Sequence, residues 1–153
     1  MFRDFVDRYR GDLRLTADAS LICVDTLVGW LSTEAYWSLG RSRETIETSI
    51  ENSFVYGVLD EGGEMVAFTR VVTDQATIAW VSDVFVEEHH RGQGIGTWMV
   101  GELTQFWTLA GVPRFLLVTR DAHGVYEKVG FTPLADPSRF MEIDRRPKSI
   151  EEI

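Results

Sequence analysis

Hydrophobic and polar residues alternate with two different periods in the N-terminal third of the chain. Residues 12–16 alternate with the period of a β-strand, whereas the stretches on either side of Tyr36 repeat apolar residues at helical spacing. Asp25 is the predicted N-cap of the first helix, and Ser42 precedes the second. The apolar faces of these helices are Leu27, Val28 and Leu31 in the first and Ile46 and Ile50 in the second.

Short runs rich in β-branched and aromatic residues follow this helical part. Three strands are predicted, Phe54 to Leu59, Met65 to Val72 and Ala76 to Val86, with turns at residues 61–63 and 73–75. Because each connection is too short for a parallel crossover, the three strands should form an antiparallel meander.

A long helix should follow the third of these strands. Its apolar residues recur at three- and four-residue steps, and Gly111 and Pro113 end it. Residues 114–119 then form a continuous apolar run, which predicts a central strand covered on both faces and parallel to the strand before the helix. The predicted buried stripe of the helix consists of Ile95, Trp98, Met99, Leu103, Phe106 and Ala110.

The last part of the chain should close the domain. Asp121 can cap a short helix that reaches Val129 and stops at Gly130, and one or two closing strands are predicted from Phe131 onward. Together the elements predict an α+β fold class, a three-layer α/β/α arrangement around a mixed, mostly antiparallel sheet.

Length and composition indicate one domain over residues 1–153, with residues 1–11 as a peripheral N-terminal extension. The 153 residues are 44% hydrophobic, which is enough for a sizeable core. A formal net charge of -9 repels phosphate backbones, so nucleic acid is not an expected partner. The lone Cys23 lies in an apolar run and is predicted to be buried and inert. No stretch resembles a signal peptide or reaches transmembrane length, so we expect no membrane partner and a cytoplasmic location.

The glycine-rich run Arg91-Gly92-Gln93-Gly94-Ile95-Gly96-Thr97 joins the third strand to the long helix. The first backbone N–H groups of a helix have no partner within it, so this junction is an anion site, and glycines allow phosphate oxygens to approach closely. Arg91 adds a cation, which favours a diphosphate over a monocarboxylate.

Two other kinds of phosphate loop fail on residue types. A Walker A loop would need Gly-Lys followed by Ser or Thr, which this run lacks. A dinucleotide fingerprint that begins at Gly92 or Gly94 would need glycine or alanine where Thr97 or Met99 stands.

The surviving pattern, Arg-x-x-Gly-x-Gly after the strand end Asp83-Val84-Phe85-Val86, resembles motif A of the GNAT acetyltransferases. A second block, Tyr126-Glu127-Lys128-Val129-Gly130-Phe131, resembles the Tyr-x-x-x-Gly-Phe motif of the same family, and the likeness covers most of the chain from Asp12. The resemblance implies a GNAT fold of six to seven strands and four helices. It also implies an enzyme that transfers the acetyl group of acetyl-CoA to an amine, and it admits a homodimer.

The resemblance further implies where the cofactor would bind. Backbone groups of Phe85 and Val86 would hold the pantetheine arm in a gap that a bulge opens between two strands. Residues 91–97 would bind the pyrophosphate. Thr119, His123 and Tyr126 would line the other side of the arm.

Acetyl transfer requires stabilisation of a tetrahedral oxyanion and a proton for the departing thiolate. Tyr126 is the predicted catalytic residue, because a phenol with a pKa near 10 can donate to a thiolate whose conjugate acid has a pKa near 8.5. The N–H group of Phe85 or Val86 would stabilise the oxyanion.

The amine nucleophile must also be neutral, which requires a base or a desolvating pocket. Asp83 is a candidate base or amine-binding residue, and the alternative for it is a structural ion pair with Arg70 or Arg120. Strand alternation places Asp83 on the face opposite Ser82 unless a bulge rotates it. Ser82 could position a water.

The acceptor side is less defined. Tyr36 and Trp37 either pack in the core or line the acceptor pocket, where cation–π contacts would suit a small cationic or aromatic primary amine. No metal is expected, since the cysteine and histidine spacing of a zinc site is absent. Two alternatives to this enzyme remain, a non-catalytic acyl-CoA sensor and an acetyltransferase that acts on protein lysines or N-termini.

Overall fold

The predicted meander forms the centre of a six-stranded sheet. The computed structural model describes residues 4–148, and the strands follow one another across the sheet in chain order. Neighbouring strands are antiparallel except for the last pair, which is parallel. The strands are β1 (Arg8–Arg10), β2 (Leu13–Thr16), β3 (Phe54–Leu59), β4 (Met65–Thr73), β5 (Ala79–Val86) and β6 (Phe115–Leu116).

Helices cover both faces of this sheet, as predicted. They are α1 (Val24–Gly29), α2 (Arg43–Glu51), α3 (Ile95–Leu109) and α4 (His123–Glu127). Leu103 of α3 belongs to one hydrophobic core, whereas Leu27 of α1 and Ile46 of α2 belong to a second core on the other face. These two cores on opposite faces of one sheet make the α+β, three-layer arrangement. No helix within residues 4–148 is long and apolar enough to cross a membrane.

The start of α2 was predicted correctly, and the start of α1 was not. The Ser42 side chain accepts a hydrogen bond of 3.1 Å from the Thr45 backbone N–H, so Ser42 is the N-cap of α2. Helix α1 begins two residues earlier than predicted, with Cys23 at its N-cap and Asp25 inside the first turn. As a result the Cys23 side chain is exposed rather than buried.

The buried face of α3 differs from the predicted stripe in its second half. Ile95, Met99 and Leu103 are buried as expected, but the i+4 progression continues to Trp107, while Phe106 is only partly buried. Trp98 is also partly buried, and Ala110 is exposed at the C-cap of the helix. The Trp107 indole N–H donates to the Tyr56 hydroxyl at 2.9 Å, which satisfies both groups inside the core.

The N-terminal segment is part of the fold as far as it is described. Arg8–Arg10 pairs with β2 as an additional edge strand, and Gly11 makes the turn between them with a φ of 58°. The Phe5 ring packs edge-to-face against Tyr56 and Phe106 at centroid distances of 5.2 and 5.4 Å. The predicted peripheral extension is therefore wrong for these residues. An exposed edge strand with the sequence Arg-Tyr-Arg carries no apolar alternation that would predict it.

The C-terminal part departs most from the prediction. The run at residues 114–119 forms only the two-residue strand β6 at the edge of the sheet, and Val118 is 80% exposed, so this is not a covered central strand. Helix α4 ends at Glu127, before Val129, and Ala122 rather than Asp121 is its N-cap. Gly130 follows with a φ of 105°. Between residue 131 and residue 148 no closing strand forms, so nothing in the described chain pairs with the outer side of β6.

Candidate functional site

A β-bulge interrupts the pairing of β4 with β5. The register between the two strands shifts by one residue between Phe68 and Arg70. Opposite this shift, Asp83 has a φ of 53°, in the left-handed region that side chains other than glycine rarely adopt. One extra residue on β5 is therefore accommodated by a bulge, and Asp83 bears its unusual backbone conformation.

The bulge exchanges the two faces of β5. Before it, Ala79 and Val81 point into the core that packs against α3. After it, Phe85 lies on the opposite face and stacks on Trp30 of the α1 segment with ring centroids 4.9 Å apart. Asp83 is consequently buried on the α1 and α2 side of the sheet. Strand alternation without the bulge would place it on the opposite face, with Ala79 and Val81.

Three donors surround the Asp83 carboxylate. The Trp37 indole N–H donates to Oδ1 at 2.9 Å, and Arg41 Nη1 and Arg70 Nε donate to Oδ2 at 2.8 and 2.7 Å. Burial alone would raise the pKa of this carboxyl, but the hydrogen bond from Arg70 and the charges of Arg41 and Arg70 outweigh it and hold the pKa below its ordinary value. The ion pair with Arg70 is one of the two structural partners anticipated for Asp83. The other, Arg120, instead lies 3.6 Å from Asp121.

This arrangement argues against Asp83 as a general base. A carboxylate whose two oxygens already accept three hydrogen bonds, and whose pKa is lowered, has little affinity for the proton of an amine. Ser82 pairs with Arg70 across the sheet, so its side chain lies on the same face as that arginine.

Strand β5 leaves part of its backbone edge open. It pairs with β6 only through Ala79 and Trp80, and within residues 4–148 no strand pairs with residues 81–86 on that side. The Val86 carbonyl accepts a hydrogen bond of 2.9 Å from Arg91 Nε on this open edge. The strands therefore part after Trp80, ahead of the bulge, and leave an exposed row of peptide groups.

The open edge carries different peptide groups from those that the sequence predicts. Phe85 pairs with Phe68. Two residues further along the chain, the Glu87 backbone N–H donates to the Val66 carbonyl at 2.8 Å. Alternation along an antiparallel pair then directs the Phe85 N–H toward β4. Val84 and Val86 face the open edge instead, so the expectation for Phe85 is wrong and that for Val86 is compatible with the structure.

The glycine-rich run forms a loop at the N-terminus of α3. Gly92 and Gly94 have φ values of 78° and 76°, which other residues rarely adopt. Gly94 is the N-cap of α3, and no side chain caps the helix. The N–H groups of the first turn, residues 95–97, therefore remain available to an anion. Arg91 is folded back onto β5, with its guanidinium 5.2 Å from the centre of the Phe85 ring.

Arg10 also reaches this loop. Its Nη2 donates to the Gln93 carbonyl at 2.7 Å, and its guanidinium nitrogens lie 3.5 Å from the position that a Cβ on Gly94 would occupy. Edge strand β1 thus brings a second cation to the loop. Sequence reasoning missed Arg10, because 83 positions separate it from Gln93 and no motif connects them.

A second cluster lies beyond β6. Burial raises the pKa of the Tyr126 phenol to about 12, with smaller contributions from Tyr36 and Asp121. The Arg120 backbone N–H donates to the Tyr36 hydroxyl at 3.2 Å, and the Arg120 guanidinium lies 3.8 Å from the centre of the Tyr36 ring. The Thr119 hydroxyl accepts a hydrogen bond from the Ala122 N–H. The structure therefore brings together the Tyr36 and Tyr126 regions that the sequence singled out separately.

These contacts change the expected roles of the aromatic pair. Tyr36 and Trp37 pack edge-to-face at 5.1 Å, but Arg120 occupies a face of the Tyr36 ring and the Trp37 N–H is held by Asp83. A cationic acceptor would have to compete with Arg120 for that face. The cation–π prediction for the acceptor therefore has little support.

The histidines lie outside the groups of residues around Asp83 and Tyr126, or at their margin. His89 and His90 bond to Glu87, and these two hydrogen bonds lower the pKa of the Glu87 carboxyl to about 2. His123 is the exposed first residue of α4. Within residues 4–148, no three His, Cys, Asp or Glu side chains are grouped so that they could hold a metal ion.

Helix α2 and strand β4 enclose a groove of about 540 Å³. Polar residues of α2 line one side, and Ser53, Arg70 and Val72 line the other. Because Arg70 also contacts Asp83, the groove leads to the bulge.

Comparison with known proteins identifies the family. The model of the acetyltransferase (GNAT) domain matches residues 51–133, which include the bulge, the glycine-rich loop and α4. The chain belongs to the GNAT acetyltransferase family. A GNAT-family protein from Xanthomonas campestris pv. campestris, of solved structure, is 34% identical, with a TM-score of 0.81 over 86% of this chain and 92% of that one.

Two further similarities agree with this GNAT assignment. A curated protein from Gibberella zeae that is assigned as an acetyltransferase is 26% identical over 140 residues, which cover 78% of each chain. The structure of glucosamine-6-phosphate N-acetyltransferase from Arabidopsis thaliana matches with a TM-score of 0.63 over 88% of this chain and 99% of that one. At 16% identity, this last similarity shows the shared fold alone.

GNAT acetyltransferases use acetyl-CoA, and the described residues fit its diphosphate on two observations. The α3 N-terminus has free N–H groups with no competing side-chain cap. No atom lies within 4 Å of the position that a Cβ on Gly92 would occupy, so the space beside this glycine is open.

We predict that Asp83→Asn lowers the free energy of unfolding by about 3 kcal/mol or more at pH 7, because it removes the charge that Arg41 and Arg70 share while both arginines stay largely buried. The folded-state pKa of Asp83 is lowered, so its contribution is present above the unfolded pKa and is lost as pH falls through the folded value. Urea unfolding at several pH values should show the difference between the proteins shrinking below about pH 4.

Asp25→Asn is the matched control, because Asp25 forms an exposed ion pair with Arg43. Its effect should stay below about 1 kcal/mol. Equal losses in the two variants would contradict a stabilising network around Asp83.

Proposed function

We propose that the chain transfers the acetyl group of acetyl-CoA to the primary amine of a small molecule by direct attack within a ternary complex. The observation that carries the proposal is the continuity between the open edge of β5 and the uncapped N-terminus of α3. A strand edge that offers peptide groups, followed at once by an anion site, suits a ligand with an amide-containing arm attached to a diphosphate.

The pyrophosphate would bind at residues 91–97. The first-turn N–H groups of Ile95, Gly96 and Thr97 would donate to its oxygens, while Gly92 and Gly94 keep the backbone accessible. Arg91 and Arg10 would add positive charge. Local cations matter in a chain of net charge -9, because the cofactor is itself an anion.

The pantetheine arm would extend along β5 toward the bulge. Val84 and Val86 present their peptide groups to the open edge, and Thr119, His123 and Tyr126 lie in the segment beyond β6 that would form the other wall. The acetyl carbonyl would then lie near the bulge. A strand-edge N–H, that of Val84 or Val86, would stabilise the oxyanion.

Tyr126 would act as a hydrogen-bond donor to the departing sulfur. A phenol with a pKa of about 12 stays protonated at neutral pH, so it can always donate. Complete proton transfer to a thiolate whose conjugate acid has a pKa near 8.5 would be uphill, so stabilisation of the sulfur through the hydrogen bond is the better-supported role.

Deprotonation of the amine would depend on desolvation or on a water, since Asp83 is occupied by its ion pairs. Ser82 lies next to Asp83 on the face that bears the groove between α2 and β4, and would position such a water. No covalent acyl-enzyme is needed. Cys23 is exposed at the start of α1 and its thiol contacts Thr26, which gives it no link to the bulge.

Turnover with an amine tests the proposed reaction. Wild-type protein should release CoA from acetyl-CoA with at least one member of a panel of arylalkylamines, amino acids, polyamines and peptides. Tyr126→Phe should lower kcat about 100-fold without a comparable change in CoA affinity, because the lost hydrogen bond acts on the leaving sulfur. The readout is free thiol release together with calorimetric CoA binding.

Tyr9→Phe is the control and should leave kcat unchanged, because Tyr9 is 69% exposed. Tight CoA binding without turnover of any amine would favour the non-catalytic sensor. Turnover confined to peptides would favour the protein acetyltransferase.

A substitution at Gly94 tests CoA binding by the glycine-rich loop. Gly94→Glu should abolish measurable CoA binding, because it places a carboxylate beside the pyrophosphate site. Gly63→Glu is the control, since Gly63 has a similar φ of 83° in the β3–β4 turn. This substitution introduces the same backbone strain and the same charge far from the glycine-rich loop. If CoA bound equally to both variants, residues 91–97 would not be the pyrophosphate site.

Removal of the Arg10 charge tests its contribution to CoA binding. Arg10→Gln should raise the Kd for CoA about tenfold, because a charged hydrogen-bonding group contributes on the order of 1.5 kcal/mol. Arg8→Gln, in the same strand but paired with Glu102, should change the Kd by less than about twofold. Equal Kd values for the two variants at low salt would show that Arg10 has no part in binding.

A further inference from the structure

The groove between α2 and β4 has an excess of positive charge at its inner end. Arg41 and Arg70 both donate to Oδ2 of Asp83, so two guanidinium groups share one carboxylate. Among residues 4–148, no other ion pair involves these three side chains, which leaves one positive charge uncompensated. The side chains of Arg41 and Arg70 are 22% and 16% exposed, so this charge is only partly solvated.

Arg70 carries that charge to the wall of the groove. Its Nε is bound to Asp83, and its Nη1 donates to the Ser53 hydroxyl at 3.2 Å. Ser53 accepts this bond with its oxygen, so its own O–H proton remains able to donate. Arg70 and Ser53 together therefore present a guanidinium and a hydroxyl to the same space, the pairing that recognises carboxylate and phosphate oxygens.

The rest of the groove is compatible with such a group. Most of its other polar lining is uncharged and lies on α2 or at its C-cap, and consists of Thr45, Thr48, Ser49 and Asn52. Its one carboxylate, that of Glu44, lies one turn of helix before Thr48, and Arg70 lies on the opposite wall of the groove. Charge in the groove is thus divided, with the cation next to the bulge.

The position of Arg70 relates this charge to the chemistry. Arg70 pairs with Ser82 across the sheet, and the bulge at Asp83 follows directly. Val84, whose peptide group lies on the open edge just past the bulge, comes next along β5. A small molecule whose anionic group is held by Arg70 would therefore have the remainder of its structure near the place where the acetyl group is proposed to lie.

We infer that the acceptor carries an anionic group, a carboxylate or a phosphate, in addition to its amine, and that Arg70 binds this group in the groove between α2 and β4. This inference rests on the proposed acetyl transfer. It replaces the expectation of a cationic acceptor, because Arg41, Arg70 and Arg120 lie on the acceptor side. Among the described residues the groove is lined by a single carboxylate, that of Glu44 on α2.

Matched pairs of amines test the inference. Phenylalanine is compared with phenethylamine, serine with ethanolamine, and phosphoethanolamine with ethanolamine, because the members of each pair differ by the anionic group alone. We expect the kcat/KM of the anionic member to exceed that of its partner at least tenfold in at least one pair. The carboxylate and phosphate pairs distinguish the two sources of charge. Equal or higher kcat/KM for the members that lack the anionic group, in all three pairs, would overturn the inference.

Variants locate the effect. Arg70→Gln should abolish the preference for the anionic member, mainly through KM, and Arg70→Lys should retain part of it. Arg41 still pairs with Asp83 in both variants, so the carboxylate is not left without a cation. Arg43→Gln is the control, since Arg43 is bound to Asp25 and Glu47 on the exposed side of α2. An undiminished preference in Arg70→Gln would also overturn the inference.

Calorimetric titration of the CoA-bound protein with the same amines provides a second readout. If Arg70→Gln does not fold, binding to the wild-type protein decides the question. Stronger binding of the anionic members that weakens at least fivefold when the salt concentration is raised supports the inference. Equal binding of the two members of each pair overturns it. Acetylation of the amines without any preference for the anionic members would reject the inference alone. Absence of turnover with all amines would reject the proposed function, and the binding comparison would still decide the inference.

Discussion

The β-bulge at Asp83 is the constraint on which the arrangement of this site depends. A residue other than glycine in the left-handed region costs on the order of 1 kcal/mol or more, and here that residue is also a buried carboxylate. Hydrogen bonds from Trp37, Arg41 and Arg70 compensate for both costs. The bulge then places Phe85 in the core beneath α1 and directs the peptide groups of Val84 and Val86 to the open edge of β5.

Features that depend on local sequence were predictable. The meander of β3, β4 and β5 follows from runs of β-branched residues between short turns, and the loop before α3 follows from its glycines. The network around Asp83 was only partly accessible. Arg70 is 13 positions away and was anticipated, whereas Trp37 and Arg41 are 46 and 42 positions away and approach only when α1 and α2 pack on the sheet.

The errors at the ends of the chain have a common origin. Apolar content predicted a covered strand at residues 114–119, but a strand is central only if another strand pairs with its outer side, and none does in the described chain. Conversely, β1 has little apolar content because it is an exposed edge, yet it delivers Arg10 to the loop. Exposure and pairing partners are properties of the assembled sheet, which a pattern along the chain does not contain.

The account divides the site into a cofactor side along β5 and α3 and an acceptor side between α2 and β4, with the bulge at the boundary. The most direct test of this division is a crystal structure of the protein with CoA. The account predicts pantetheine amides bonded to the peptide groups of Val84 and Val86, and pyrophosphate at the N–H groups of residues 95–97. CoA bound in the groove beside Arg70, or along the outer side of β6 away from the bulge, would contradict it.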